Sequence, residues 1–198
     1  MQHLGNNIYY VEDFFSEHKA FMQEAKKATK DLVFYGNDNN ERIDYNYRVI
    51  DKDAIGLSGW AIVDETIPEL NSLHKKLMSA VKQKIESFFN KNYESQWEIA
   101  KANYSGILVL YQTGSGCGDH TDTVFENPEE AYSYSSVYYI NDDYEGGEIV
   151  FPEINLSFKP KENSLIFLPS YMVHRVDTLT AGEKLTCPTF FREIKNGN

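Results

Sequence analysis

The sequence predicts a mainly β protein of jelly-roll type, with supporting helices on its N-terminal side. Three observations carry this. Apolar residues recur at helical spacing in two stretches before residue 95. From Trp97 onward the apolar period shortens to that of strands, in many short runs divided by turn residues. An aromatic share of 14%, with 14 Tyr and 12 Phe among 198 residues, suits packed pleated surfaces and not a disordered chain.

Taken in order, residues 7–11 read as a strand. Phe14, Phe15, Phe21, Met22, Ala25 and Ala28 then mark an amphipathic helix, with Lys and Glu between them. Residues 36–60 are rich in Asn, Asp and Gly, and only 43–50 alternate like a strand. Two readings are open there, a lid over an active site and a plain surface excursion. A second helix begins at Thr66-Ile67-Pro68-Glu69, where Thr66 and Glu69 are spaced as a capping box and Pro68 suits the first turn. Leu70, Leu73, Leu77, Val81, Ile85 and Phe88 form its apolar stripe. His18 and His74 fall on the two helices without a second ligand-type residue beside them, which predicts surface or boundary positions.

Strands are then predicted over residues 97–101, 105–112, 120–125, 134–141, 148–151, 156–158, 164–168, 172–177 and 184–192. Gly146-Gly147 predicts a tight turn with close backbone passage. Pro188 has no N–H to give a ladder and predicts an edge or bulge within the last strand, which leaves the placement of Phe190 and Phe191 open. Nothing resembles an interdomain linker, so one domain over 1–198 is expected, with 1–95 as helical support and 96–194 as the β core.

The formal net charge of −11 disfavours a nucleic-acid backbone as partner and permits a basic peptide. Apolar runs such as 106–111 are far too short to span a bilayer, and the N-terminus lacks signal-peptide order, so a cytoplasmic protein without membrane contact is expected. Cys117 and Cys187 are too few for a disulfide framework. Asn103-Tyr104-Ser105 and Asn155-Leu156-Ser157 read as chance matches to the glycosylation pattern.

The chemistry lies in His120-Thr121-Asp122, a distant His174, and Lys184 ten residues beyond it. On an extended strand His120 and Asp122 project from one face, where both reach a single ion. With His174 they make two imidazoles and one carboxylate, which leave three octahedral positions open, as non-haem Fe(II) oxygenases require. A structural zinc site leaves none.

The flanking residues carry a family likeness. Tyr111-Gln112-Thr113-Gly114, Tyr138-Tyr139-Ile140-Asn141-Asp142, Gly146-Gly147-Glu148-Ile149-Val150-Phe151-Pro152, residues 164–169 and residues 174–184 follow in order. Over residues 96–194 the chain resembles prolyl 4-hydroxylase-type 2-oxoglutarate and Fe(II)-dependent dioxygenases. That resemblance implies a double-stranded β-helix, a cupin-like jelly roll. It implies His120, Asp122 and His174 as Fe(II) ligands, and 2-oxoglutarate and O2 as cosubstrates, with ascorbate as reductant. It also implies Lys184 on the far carboxylate of 2-oxoglutarate, Tyr139 assisting there, and Tyr111 near cosubstrate and metal. Thr186, two residues after Lys184 on the same strand face, has a hydroxyl for the same carboxylate or serves as packing.

The expected activity is hydroxylation of an unactivated C–H bond, most directly in a proline-containing peptide or protein, with 2-oxoglutarate converted to succinate and CO2. Hydroxylation of another side chain, a free amino acid or a small molecule is the alternative within that class. A non-catalytic metal- or peptide-binding jelly roll and a zinc hydrolase are the rivals outside it. Arg175 points away from His174 and is expected in a structural ion pair, and Asp119 is open between a surface role and orientation of a ligand.

Overall fold

The structure, a computed structural model, describes residues 1–30, 58–99, 105–123 and 131–194. The expected strand at 43–50 and the lid question at 36–57 lie outside the described residues. In chain order the elements are β1 (Gln2–Gly5), β2 (Ile8–Val11), α1 (His18–Thr29), β3 (Ser58–Val63), α2 (Pro68–Phe89), β4 (Tyr93–Ser95), α3 (Gln96–Ile99) and β5 (Gly106–Gln112). They continue with β6 (Cys117–His120), β7 (Tyr134–Tyr139), β8 (Glu145–Gly146), β9 (Ile149–Phe151), β10 (Leu156–Phe158), β11 (Ser164–Pro169), β12 (His174–Val176), β13 (Leu179–Ala181) and β14 (Glu183–Glu193).

These strands build a large sheet in the order β1-β2-β11-β7-β14-β5-β3, with β4 also on β14, and a smaller sheet β10-β9-β12-β6. Strand alternation gives the large sheet two different faces. Leu165, Phe167, Leu185, Cys187 and Phe191 turn one way and pack with Phe21, Leu77, Val81 and Ile85 of the helices. Tyr139, Ile166 and Leu168 turn the other way and meet Ile149 and Phe151 of the small sheet. The mainly β jelly roll with helical support is therefore as expected.

Local corrections have identifiable causes. Thr66 and Glu69 form no capping box: the Thr66 N–H and hydroxyl both bind the Asp64 carboxylate, at 2.9 and 2.5 Å, and Ile67 takes the N-cap position without a side-chain bond. The capping box sits instead at Ser95 and Glu98. There the Glu98 N–H reaches Ser95 Oγ at 3.3 Å and the Ser95 N–H reaches Glu98 Oε2 at 2.7 Å. That reciprocal pair turns Gln96–Ile99 into helix α3, where residues 97–101 read as strand. The stripe of α2 is buried at Leu70, Leu77, Val81 and Ile85, but Phe88 is exposed and packs edge-on against Tyr9.

His18 and His74 are buried, contrary to expectation. Each has found a polar partner on β7 or β14. His18 Nδ1 lies 2.7 Å from the Tyr138 hydroxyl, and His74 Nε2 lies 3.0 Å from Cys187 Sγ. Pro188 lies in an interior strand, opposite Val137 of β7 and without a bulge, so the expected edge is reduced to a local gap on the other side of β14, where pairing with β5 ends at Thr186 and pairing with β4 begins at Phe191. Phe191 is buried among the helices, and Phe190 faces the opposite side.

Candidate active site

His120 and His174 are cross-strand partners on β6 and β12, so the small sheet itself sets one imidazole beside the other. Their ring centroids are 4.3 Å apart. Each Nδ1 meets a backbone carbonyl, Gly118 O at 2.8 Å for His120 and Met172 O at 3.0 Å for His174. A carbonyl only accepts, so both Nδ1 atoms carry a proton and both Nε2 atoms are turned to Asp122. Each Nε2 stands 3.6 Å from one oxygen of Asp122. The three ligand atoms lie within 4.8 Å of one another.

The strand expected over 120–125 stops at His120, and Asp122 follows in a turn. The departure is caused by its N–H, which goes 2.9 Å to Ser170 O outside the ladder. Likewise β12 begins at His174 and not at 172, because Met172 N–H closes a turn onto Pro169 O at 2.9 Å.

Burial would lower the His120 imidazole, but the Asp122 carboxylate and the Cys117 thiol hold it up, at about 10. Burial lowers His174, against the pull of Asp122. Asp122 is held low by His120, His174 and the Ser135 hydroxyl in spite of its burial. Once a cation displaces the proton that Asp122 keeps on His120, this set offers two Nε2 atoms and one ionised carboxylate on one side of a cavity, which fits a divalent metal with open positions.

The far end of the same cavity of about 250 Å³ is basic. Lys184, Thr186, Pro188 and Phe190 take every second position of β14 and face it, beside Val137 and Tyr139 of β7 and Val109 and Tyr111 of β5. The register makes this arrangement: Lys184 lies opposite Tyr111, and Thr186 opposite Tyr139. Lys184 is 1% exposed, and its Nζ donates to Gly147 O at 2.7 Å. It also sits 5.5 and 5.3 Å from the ring centres of Tyr111 and Tyr139. Burial pulls this ammonium down to about 7, with Glu148 acting the other way. A buried cation with one carbonyl acceptor fits the anionic end of a small molecule.

All seven residues singled out from the sequence thus converge: His120, Asp122 and His174 at one end, and Lys184, Thr186, Tyr139 and Tyr111 toward the other. Arg175 points out of the cavity to Asp177 at 2.7 Å and Asp119 at 3.5 Å, so Asp119 belongs to that ion cluster. Sequence reading missed Cys117, whose Sγ is 3.5 Å from His120 Nδ1, and Tyr144, whose ring lies 5.8 Å from Lys184 Nζ. It also missed Ser135, although Ser135, Val137 and Tyr139 share a face by the period of a strand.

Residues 106–192 match the model of the 2OG-Fe(II) oxygenase superfamily. A PKHD-type hydroxylase of Crocosphaera subtropica is 27% identical over 132 residues, covering 62% of this chain and 55% of that protein. A second PKHD-type hydroxylase, from Rippkaea orientalis, is 32% identical over 93 residues, covering 44% and 42%. The chain spans about half the length of the curated relatives it matches. Among solved structures, the viral collagen prolyl hydroxylase of Paramecium bursaria Chlorella virus-1 in complex with 2OG superposes with a TM-score of 0.66 at 16% identity, covering 96% of this chain and 98% of that one. A prolyl hydroxylase from Trichoplax adhaerens, in complex with a hypoxia inducible factor peptide, gives 0.60 at 17% identity, covering 94% and 83%. At these identities the structural likeness shows the fold. The resemblance to prolyl 4-hydroxylase-type 2-oxoglutarate/Fe(II) oxygenases holds.

Proposed function

We propose that this chain, with its likeness to the 2OG-Fe(II) oxygenases, is an Fe(II)- and 2-oxoglutarate-dependent dioxygenase that hydroxylates a prolyl residue of a peptide or protein. The observation that carries this reading is a single cavity with His120, Asp122 and His174 at one end and the buried Lys184 at the other. Bound iron and 2-oxoglutarate would supply oxidative decarboxylation, yielding succinate and CO2, and the oxidation of the substrate carbon.

The chain's own residues bind, orient and exclude water. His120, Asp122 and His174 would hold the metal, and their ligand atoms all lie within 4.8 Å of one another. Lys184 would pair with the far carboxylate of 2-oxoglutarate, and the Thr186 and Tyr139 hydroxyls would be additional donors. Tyr111, which shares the Lys184 register position, lines the cosubstrate's flank. Val109, Val137, Ile149 and Val176 make the remaining wall apolar, which keeps water from the reacting atoms. Ascorbate as reductant and a single domain over 1–198 belong to the same proposal. The prolyl substrate is supported by the structural neighbours, a collagen prolyl hydroxylase and a prolyl hydroxylase bound to a peptide of hypoxia inducible factor.

Anaerobic titration of metal-free protein with Fe(II) and then 2-oxoglutarate tests the cofactor reading. A visible charge-transfer band of the chelated cosubstrate, absent in His174→Ala, is the expected result. Folded, iron-loaded protein without a band sinks it. Turnover of proline-containing peptides against free amino acids then tests the substrate.

A further inference from the structure

We propose that Ser135 and Ser170 form a two-hydroxyl relay that fixes the Asp122 carboxylate in its ligating orientation, which makes both serines positioning residues of the metal centre. The inference rests on the reading of His120, Asp122 and His174 as metal ligands.

The chain path creates the need. β6 ends at His120, so no sheet ladder holds Asp122. Its N–H goes to Ser170 O at 2.9 Å, in the turn that follows β11. The Ser135 hydroxyl is among the groups that hold the Asp122 carboxylate ionised, and the relay assigns its proton to that carboxylate. Ser135 Oγ lies 2.8 Å from Ser170 Oγ. An ionised carboxylate only accepts, so in this relay the one Ser135 proton goes to Asp122 and the Ser135 oxygen accepts from the Ser170 hydroxyl. The turn at Ser170 therefore holds Asp122 twice, through its own carbonyl and through the hydroxyl behind Ser135.

Packing alone does not account for the pair. Both serines are fully buried. Ser135 sits at the centre of the large sheet, between Leu168 of β11 and Phe190 of β14, where an apolar side chain is the ordinary choice. A hydroxyl there is costly unless it is hydrogen-bonded, and here the bonds lead to a ligand. Ser170 is itself anchored by its N–H on Ser133 O at 3.2 Å. Donors on one side of a carboxylate leave its remaining lone pairs for the ion, and such partners typically govern metal affinity by about 10- to 100-fold.

The test is Mn(II) binding by calorimetry to the metal-free full chain, for wild type, Ser135→Ala, Ser170→Ala and the double variant, with thermal unfolding of each metal-free protein alongside. Ser135→Ala is expected to weaken Mn(II) by about 10- to 100-fold while the metal-free protein stays folded. Ser170→Ala weakens it by a smaller factor, and adds nothing in the Ser135→Ala background because it acts through Ser135. Wild-type affinity in Ser135→Ala, or losses that simply add in the double variant, overturns the relay. Should Ser135→Ala fail to fold, Ser170→Ala decides, since it leaves every atom that touches the carboxylate in place: weaker Mn(II) binding supports the relay, and wild-type affinity overturns it. Failure of the underlying reading looks different. Wild type would bind no Mn(II), or Asp122→Ala would bind it as well as wild type does.

Discussion

At the scale of single residues, Lys184 carries the clearest pH prediction. With its ammonium drawn down to about 7 by burial, it is charged below that pH and increasingly neutral above it. The proposed 2-oxoglutarate carboxylate needs the charged form, so cosubstrate affinity is expected to fall as pH rises from 7 to 9, about tenfold per pH unit. Lys184→Arg keeps its charge throughout and should flatten that dependence, and a wild-type affinity that is flat over this range refutes the assignment. Stability of the ligand-free protein runs the opposite way. The unfolded chain holds the Lys184 proton up to about 10.4, so above pH 7 it binds more protons than the fold, and this group's contribution rises with pH. His74 works at the acid side. It is fully buried, and burial drops it to about 3. It stays neutral in the fold while the unfolded imidazole protonates near 6.5, so its stabilising contribution is complete above that pH and is lost between 6.5 and 3, at up to about 1.4 kcal/mol per pH unit. Urea midpoints at pH 4.5 and 7.5 should show a steeper loss for wild type than for His74→Leu, and equal losses would exclude this role. The two lysine and histidine cases also mark what was legible. Lys184 was singled out because the family resemblance places a cation at that distance from His174, whereas His74 is defined by Cys187, 113 residues away, and no local pattern announces that partner.

At the scale of elements, the same histidine explains how β5 meets α2. A Cβ placed on Gly106, the first residue of β5, would stand 2.2 Å from His74 Cε1. That ring is buried on α2 and held at Cys187 of β14, so it has little room to withdraw. Gly106→Ala should therefore cost about 1–3 kcal/mol in chemical denaturation, and a neutral result would mean that α2 shifts freely over the sheet. Gly147 limits a different function. Its φ is 67°, and a Cβ added there would stand 2.5 Å from Leu179 Cδ1, so the position excludes a side chain. Its carbonyl accepts from Lys184. Gly147→Ala is expected to weaken 2-oxoglutarate binding more than Mn(II) binding, and the reverse order would detach this turn from the cosubstrate. Element type was legible wherever a period ran long enough, as in α2 and β14. It failed at Gln96–Ile99, where aromatic and β-branched residues suggested strand while one Ser95–Glu98 pair set a helical turn. It failed again at Asp122, whose single bond to Ser170 ends a strand that the residue pattern would continue.

At the scale of the whole molecule, strand periodicity specified two-faced strands but not their order. The sequence of pairings β11-β7-β14-β5 joins segments far apart in the chain, and each partner is chosen by faces that match only after folding. The family resemblance supplied that topology, and the structure shows why it matters. The proposed metal ligands lie on or beside the small sheet, and Lys184, Tyr139 and Tyr111 lie on the large one. A 2-oxoglutarate held at the metal through one end and at Lys184 through the other would therefore tie the two sheets together. Any ligand that binds only the folded state adds stability, by about 2.7 kcal/mol at a hundred times its dissociation constant. For a chain of this size each kcal/mol moves the unfolding temperature by about 2–4 °C, so each saturating ligand is expected to raise it by about 5–10 °C. The increments should be ordered. Mn(II) alone gives the first, and 2-oxoglutarate gives the second only when Mn(II) is present, because half of its grip is the metal. Asp122→Ala should lose both increments, and Lys184→Met only the second. If 2-oxoglutarate stabilises metal-free protein fully, or if Lys184→Met keeps its increment, the cosubstrate does not bridge the sheets in this way and the cavity's basic end serves another ligand.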